Sequence, residues 1–128
     1  MKRRDFIVGG TALFAVGLAT QDVFAAAPST AEILLSILGN REAAAAFGSA
    51  WQAQDAQQPQ AVLAVLQARL QKLGWTGEAD TEHLRGLFNS AVADDYRAGS
   101  MVTIDGWMIA ESQAELCALA YFDQKNRL

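Results

Sequence analysis

The 128-residue chain contains one cysteine, one histidine and two prolines. With Cys117 alone, no disulfide can form within the chain, and we expect its thiol to behave as a small buried hydrophobe. Zinc and copper sites take several His or Cys ligands at short spacing, whereas this chain offers only His83 and Cys117. A nucleophile also needs a nearby base, usually histidine, and an orienting group. The sequence therefore predicts no metal site and no catalytic site.

Basic residues are scarce as well. Ten Lys and Arg face fourteen Asp and Glu, for a net charge of −4. An acidic chain without a basic patch is not expected to bind nucleic acid or anionic lipid. No glycine-rich loop follows a strand pattern, so a phosphate or dinucleotide site is not indicated and we predict no cofactor.

The N-terminal residues have the pattern of an export leader. Arg3 and Arg4 supply positive charge, residues 6–20 are mostly apolar from Phe6 onward, and small residues follow at 25–27. The arginine pair followed by Asp, Phe and Ile resembles the twin-arginine export signal, whose receptor reads the pair as an address. The alternatives are an ordinary secretory leader with a chance second arginine, or an uncleaved anchor.

The apolar stretch of the leader is shorter than the about 20 residues that span hydrocarbon, which argues against an anchor. We expect cleavage near Ala25, with residues 1–25 as signal peptide and 26–128 as one mature domain. The predicted location is the periplasm, with membrane contact only during export through the twin-arginine translocon.

Helical periodicity dominates the mature segment. Capping residues predict the helix starts: a Ser29 capping box, Asn40, Asp80 or Thr81, and a second box opened by Ser112. Pro59 suits a first turn, and glycines suit helix ends, with Gly39 as a left-handed cap. The predicted apolar faces are Ile33, Leu34, Ile37 and Leu38; Ala43, Ala46, Phe47, Ala50 and Trp51; Val62, Leu63, Leu66, Leu70 and Leu73; Leu84, Leu87, Phe88, Ala91 and Val92; and Leu116, Leu119, Ala120 and Phe122.

Residues 101–109 have a different pattern. Two β-prone runs flank Asp105-Gly106, a dipeptide that tolerates a type I′ turn, so Ile104 should pair with Trp107 and Val102 with Ile109. The predicted fold is mostly α, a small bundle of about four to five helices with one short β-hairpin before the last helix. A lone hairpin is marginal in water and should lean on the helices.

The hairpin also carries the residues most suited to a partner contact, because an indole beside a tight turn can anchor a partner. The candidate contact residues are Asp105, Gly106, Trp107, Met108 and Ile109. The alternative, which we favour for the indole itself, is that Trp107 covers the helices as core.

The sequence contains one candidate for a catalytic carboxylate pair, the neighbouring residues Asp94 and Asp95. Neighbouring side chains on a helix point about 100° apart, so these two cannot share one proton. We interpret them as a solvated face near Arg97. An enzyme using Asp94, Asp95 or Glu111 would need a concave pocket with raised carboxylate pKa values.

A twin-arginine leader followed by about a hundred helical residues, with the opening at residues 33–38, resembles the small subunits of periplasmic flavin-dependent sugar and sugar-acid dehydrogenases. That resemblance implies a non-catalytic subunit that makes no cofactor contact and escorts a larger, leaderless catalytic flavoprotein through the translocon. The chain departs from the pattern by lacking a longer proline-containing tail and by carrying residues 103–107. No functional residue is transferred from the family.

Two functions follow as expectations. The first is a non-catalytic small subunit or export escort of a periplasmic oxidoreductase. The second is a free-standing periplasmic binding or adaptor domain that uses the hairpin edge around Trp107. A neighbouring gene for a large dehydrogenase without a leader would separate them.

Overall fold

The computed structural model describes residues 28–128, so the predictions on the leader, with Arg3, Arg4 and Phe6, lie outside the described residues. Residues 28–128 form a mostly α bundle with a two-stranded antiparallel hairpin before the last helix, as predicted. The elements are α1 (Thr30–Leu35), α2 (Arg41–Gln54), α3 (Pro59–Lys72), α4 (Thr81–Ala98), β1 (Met101–Ile104), β2 (Trp107–Ala110) and α5 (Glu111–Gln124). Within this part of the chain, no helix combines the length and apolarity needed to cross a bilayer.

Side-chain caps start the first two helices where predicted. The Ser29 hydroxyl accepts a hydrogen bond from the Glu32 amide at 3.1 Å, and the Glu32 carboxylate accepts one from the Ser29 amide at 3.0 Å. Asn40 accepts from the Ala43 amide at 3.0 Å. These bonds satisfy amides that have no partner inside the helix.

The predicted end of the first helix is wrong. The helix ends at Leu35, and Gly39 does not adopt a left-handed conformation. The Ser36 hydroxyl donates to the Ile33 carbonyl at 2.5 Å, and the next two amides bond to carbonyls three residues back. The last turn is therefore tightened by bonds between residues three apart, and the helix ends before Gly39.

The apolar faces of α3 and α4 are confirmed. Asp80 caps α4 by accepting from the His83 amide at 3.2 Å, and Gly99 ends that helix with a φ of 73°. The faces place Val62, Leu66, Leu70, Leu84 and Ala91 in the core, with Leu63, Leu73, Leu87, Phe88 and Val92 partly buried.

The predicted face of α2 is partly wrong. Ala43 and Ala46 are exposed, and the buried residues of α2 are Ala44, Ala45, Gly48 and Trp51. Because a run of alanines contains no strongly polar residue, its periodicity does not show which side of the helix faces solvent. Packing against α5 selects the side that carries Gly48.

Helix α5 is the centre of the bundle and contacts all four other helices and both strands. Its buried residues are Ser112, Ala114, Glu115, Leu116, Ala118, Leu119, Ala120 and Phe122. Gly48 allows α2 to cross it closely, because a Cβ there would lie 2.6 Å from the Cys117 carbonyl carbon.

The hairpin has the predicted register, in which Ile104 pairs with Trp107 and Val102 with Ile109. Asp105 and Gly106 have φ angles of 50° and 84°, as a type I′ turn requires at both central positions. The hairpin leans on the helices through Ile104, which is fully buried. The side-chain amide of Gln54 in α2 also contacts β1, because it donates a hydrogen bond to the Thr103 carbonyl at 2.7 Å.

The predicted capping box at Ser112 is wrong, because α5 starts two residues earlier, with Ala110 at the N-cap position and Glu111 as its first residue. The Gln113 side chain accepts from the Ala110 amide at 3.0 Å. Ser112 is instead inside the first turn and buried, and its amide donates to Asp95 of α4 at 2.7 Å. Asp95 thus supplies the acceptor for the Ser112 amide that the capping-box pattern assigned to the Glu115 carboxylate.

Candidate functional site

The predicted contact residues lie at the outer end of the hairpin, which we call the hairpin tip and define as residues 105–108. Trp107 is 66% exposed and Met108 61% exposed, whereas Ile109 is partly buried. The interpretation of Trp107 as core is therefore wrong. Its cross-strand partner, Ile104, is fully buried against the helices, whereas the indole is largely in solvent.

An apolar groove of about 250 Å³ lies beside the second strand. Its lining comes from α2, α4, α5, the hairpin and the connection between α1 and α2: Leu38, Phe47, Phe88, Ile109, Gln113, Leu116 and Cys117. Ile109 and Trp107 are two residues apart on one strand, so their side chains leave the same face of the hairpin. The hairpin tip and the apolar groove are therefore neighbouring parts of one surface.

Cys117 lines this groove and is partly buried. Burial raises the pKa of its thiol to about 11. The thiol therefore stays protonated at neutral pH, as the sequence interpretation of a small hydrophobe requires, and it is a poor nucleophile.

A cluster of polar side chains is centred on Arg69 of α3, whose side chain is 24% exposed. Its Nη1 donates to the Ser112 hydroxyl at 2.6 Å and to Asp95 at 3.4 Å. The same guanidinium contacts both oxygens of Glu115, at 3.2 and 3.4 Å, and lies 3.6 Å from Glu111. One cation thus joins carboxylates of α4 and α5.

Burial dominates the chemistry of Glu115, which is only 5% exposed. Desolvation raises its pKa to about 7, although Arg69 acts in the opposite direction, and the charges of Glu111 and Asp95 raise it further. The guanidinium charge is shared among three carboxylates, so it offsets only part of the desolvation cost of Glu115.

Next to this cluster is an acidic cleft of about 330 Å³ between α2, α3, β1 and the start of α5. Its lining residues are Trp51, Asp55, Gln57, Ala61, Val62, Val65, Arg69, Val102, Glu111 and Glu115. The catalytic hypothesis named Asp94, Asp95 or Glu111 and required a concave pocket with a raised carboxylate pKa. Glu111 lines the acidic cleft, but the carboxyl group with the raised pKa is Glu115, which the hypothesis did not name.

The other polar residues considered from the sequence do not come together in one site. His83 is exposed in the first turn of α4, and Asp94 is exposed and paired with Arg97 at 2.5 Å. The solvated interpretation is therefore confirmed for Asp94 and wrong for Asp95, which points inward to Arg69 and Ser112. Among residues 28–128, no group of three or more His, Cys, Asp or Glu side chains is arranged to hold a metal ion.

Sequence reasoning missed Arg69, Ser112 and Glu115. Arg69 is not part of the predicted apolar face of α3, so the helical pattern gives it no role. The available signal was Glu115 itself, a charged residue set among Ala, Leu and Cys in a helix that is apolar nearly all round.

No protein-family model matches the chain, and no curated protein or solved structure is found to be similar to it.

Proposed function

We propose that this protein is a non-catalytic small subunit or export escort of a periplasmic oxidoreductase complex, carried out of the cytoplasm folded by the twin-arginine route. Its partner is the larger catalytic subunit, a flavoprotein dehydrogenase by the resemblance of the leader and helical layout to such small subunits. The chain lends its leader to that partner.

The exposure of Trp107 and Met108 carries the proposal. These adjacent side chains are the most exposed of the large hydrophobic residues in the described chain, and they leave opposite faces of β2 just after the Asp105-Gly106 turn. Large apolar side chains are costly to leave in water, and when exposed they are typical of protein interfaces. Tryptophan is also over-represented among residues that dominate binding energy.

The apolar groove supports a protein partner. Its lining is mostly aliphatic and aromatic, and it continues the surface of the hairpin tip through Ile109. The partner that fits is a folded subunit that presents an apolar side chain to the groove and a pocket to the indole of Trp107.

The test is co-purification from the periplasm of the tagged protein, followed by mass spectrometry. Replacing Trp107 and Met108 by alanine should reduce recovery of the large subunit at least tenfold, since an interface tryptophan contributes about 2 kcal/mol or more. Circular dichroism should remain unchanged, because neither side chain is in the core.

Leu128→Ala is the matched control, because Leu128 is 38% exposed and lines neither the apolar groove nor the acidic cleft. It should leave recovery of the partner unchanged. Equal recovery with the Trp107/Met108 variant would contradict the role of the hairpin tip. Recovery of no oxidoreductase by the unaltered protein would instead favour the free-standing adaptor domain.

A catalytic function is the second candidate, and the acidic cleft with Glu115 favours it. It predicts that the purified protein turns over a substrate alone and that Glu115→Gln removes the turnover. Such activity would contradict the accessory-subunit proposal.

A further inference from the structure

The acidic cleft contains more negative than positive groups. Asp55, Glu111 and Glu115 line it, and Arg69 is the single cation in its lining. Asp95 contacts the same guanidinium from α4. Four carboxyl groups therefore face one positive charge, which favours a cationic ligand over an anionic one.

The donors of Arg69 are already engaged. Ser112, Asp95 and Glu115 all accept hydrogen bonds from its two terminal nitrogens. An incoming carboxylate or phosphate would have to displace these partners and leave buried carboxylates unpaired, which is costly.

One oxygen of Glu115 has no such partner. Its Oε1 is buried and accepts no hydrogen bond, even though Nη1 of Arg69 lies 3.2 Å away. Buried polar atoms in folded proteins nearly always have a partner, and leaving one without costs about 1 to 3 kcal/mol. A ligand N–H donor in the acidic cleft would supply the missing hydrogen bond.

Apart from Gln57, the rest of the lining of the acidic cleft is apolar. Val62, Val65 and Val102 form its walls with the indole of Trp51. Its volume of about 330 Å³ is at the lower end of small-molecule sites. A ligand with a short hydrocarbon body and a charged head matches both parts.

We propose that the acidic cleft binds an alkylammonium group, with the ammonium between Glu111 and Glu115 Oε1 and the hydrocarbon along Val62, Val65 and Val102. The ammonium belongs either to a free small amine or to a lysine side chain of another protein. The acidic cleft and the apolar groove share no lining residue, so this site is independent of the proposed partner surface.

The first experiment is a titration of the full domain with 1-pentylamine, followed by the NMR signal of the Trp51 indole N–H. A ligand this small should bind with a dissociation constant on the order of millimolar. Pentan-1-ol tests the need for charge, and calcium chloride tests for a simple cation. Both should fail to shift the signal at the same concentration.

Three variants define the site. Glu115→Gln removes the charge and should weaken amine binding at least tenfold. Val65→Lys puts an ammonium of the protein at the cleft mouth and should do the same; because Val65 is 47% exposed, this variant tests the site even if Glu115→Gln fails to fold. Glu82→Gln makes the same change at an exposed position of α4 outside the acidic cleft and should leave binding unchanged.

Proton release gives a second readout. Arg69, Asp95 and Glu111 are the charged groups that face Glu115 from α3, α4 and its own helix, and burial holds the pKa of Glu115 at about 7. An ammonium favours the ionised carboxylate, so binding should strengthen between pH 6 and pH 8. Calorimetry in two buffers of different ionisation enthalpy should show release of about half a proton at pH 7, absent in Glu115→Gln.

The source of the ammonium is distinguished with lysine capped at both its amino and carboxyl termini. Binding at least as tight as pentylamine would assign the site to a protein side chain, and binding of pentylamine alone would assign it to a free amine. Equal binding of pentan-1-ol, binding of calcium in place of amine, or an unmoved Trp51 signal at saturating pentylamine would overturn the proposal.

Discussion

At the scale of the residue, Gly48 sets the distance between α2 and α5. A methyl group at this position would collide with the carbonyl of Cys117, which is backbone and cannot rotate away. The close packing of α2 against the central helix α5 therefore depends on the absence of a side chain at Gly48.

We predict that Gly48→Ala lowers the free energy of unfolding by about 3 kcal/mol, since the helices must move apart to admit the methyl group. Urea denaturation measures the effect. Gly86→Ala is the matched control, because Gly86 is a helical glycine of α4 with open space around its Cβ position. This change should stabilise the protein by about 0.5 to 1 kcal/mol. Equal effects of the two substitutions would contradict the close crossing.

Glu115 predicts a pH dependence of stability. Its pKa is raised from 4.5 to about 7 on folding, so the folded state holds the proton more tightly than the unfolded state. This stabilising contribution is complete below pH 4.5 and is lost as the pH rises through about 7. Its full size is on the order of 3 kcal/mol, from about 1.4 kcal/mol per pKa unit.

Glu115→Gln removes this titration. Relative to the unaltered protein, we expect the variant to become more stable as the pH is raised from 5 to 8, by a few kcal/mol in urea denaturation. Glu82→Gln, at an exposed site, should show a constant difference over the same range. Parallel stability curves for the protein and Glu115→Gln would show that the carboxyl is not buried as described.

At the scale of the element, the start of α5 depends on α4. The Ser112 amide is satisfied by Asp95, and the same carboxylate contacts Arg69 of α3. One side chain thus caps a helix and joins three helices at their meeting point.

Asp95→Ala should cost about 3 kcal/mol of unfolding free energy, because it leaves a buried amide without an acceptor and removes a partner of Arg69. Its chain neighbour is the control. Asp94→Ala breaks only an exposed pair with Arg97 and should change stability by no more than about 0.5 kcal/mol. Thermal unfolding of both variants distinguishes them, and similar melting temperatures would contradict the capping role of Asp95.

At the scale of the whole molecule, the export proposal makes a prediction about location. Replacing Arg3 and Arg4 by lysine keeps the charge but removes the guanidinium pair that a twin-arginine receptor reads. We expect the protein and its co-purifying subunit to remain in the cytoplasm, as measured by immunoblots of cell fractions.

The matched control replaces two surface arginines, Arg41 and Arg97, by lysine and should leave export normal. Continued export of both proteins despite the change at Arg3 and Arg4 would contradict the escort function. Export of the partner without this chain would contradict it as well.

Much of the fold was predictable because its causes are local. The capping box at Ser29, the stripes of α3 and α4, and the Asp105-Gly106 turn each involve residues within a few positions of one another. The hairpin register followed from the turn. The exposure of Trp107 did not, because it depends on where the hairpin meets the helices.

Local sequence patterns specify which segments become helices, where most of them begin, and that a type I′ hairpin precedes the last one. Which polar side chains are buried together depends instead on how the helices pack. Arg69 and Glu115 are 46 positions apart in the chain, and Asp95 and Ser112 are 17 apart. No local periodicity connects such distant positions, and only the packing of α3 and α4 around α5 brings their charges into one low-dielectric site.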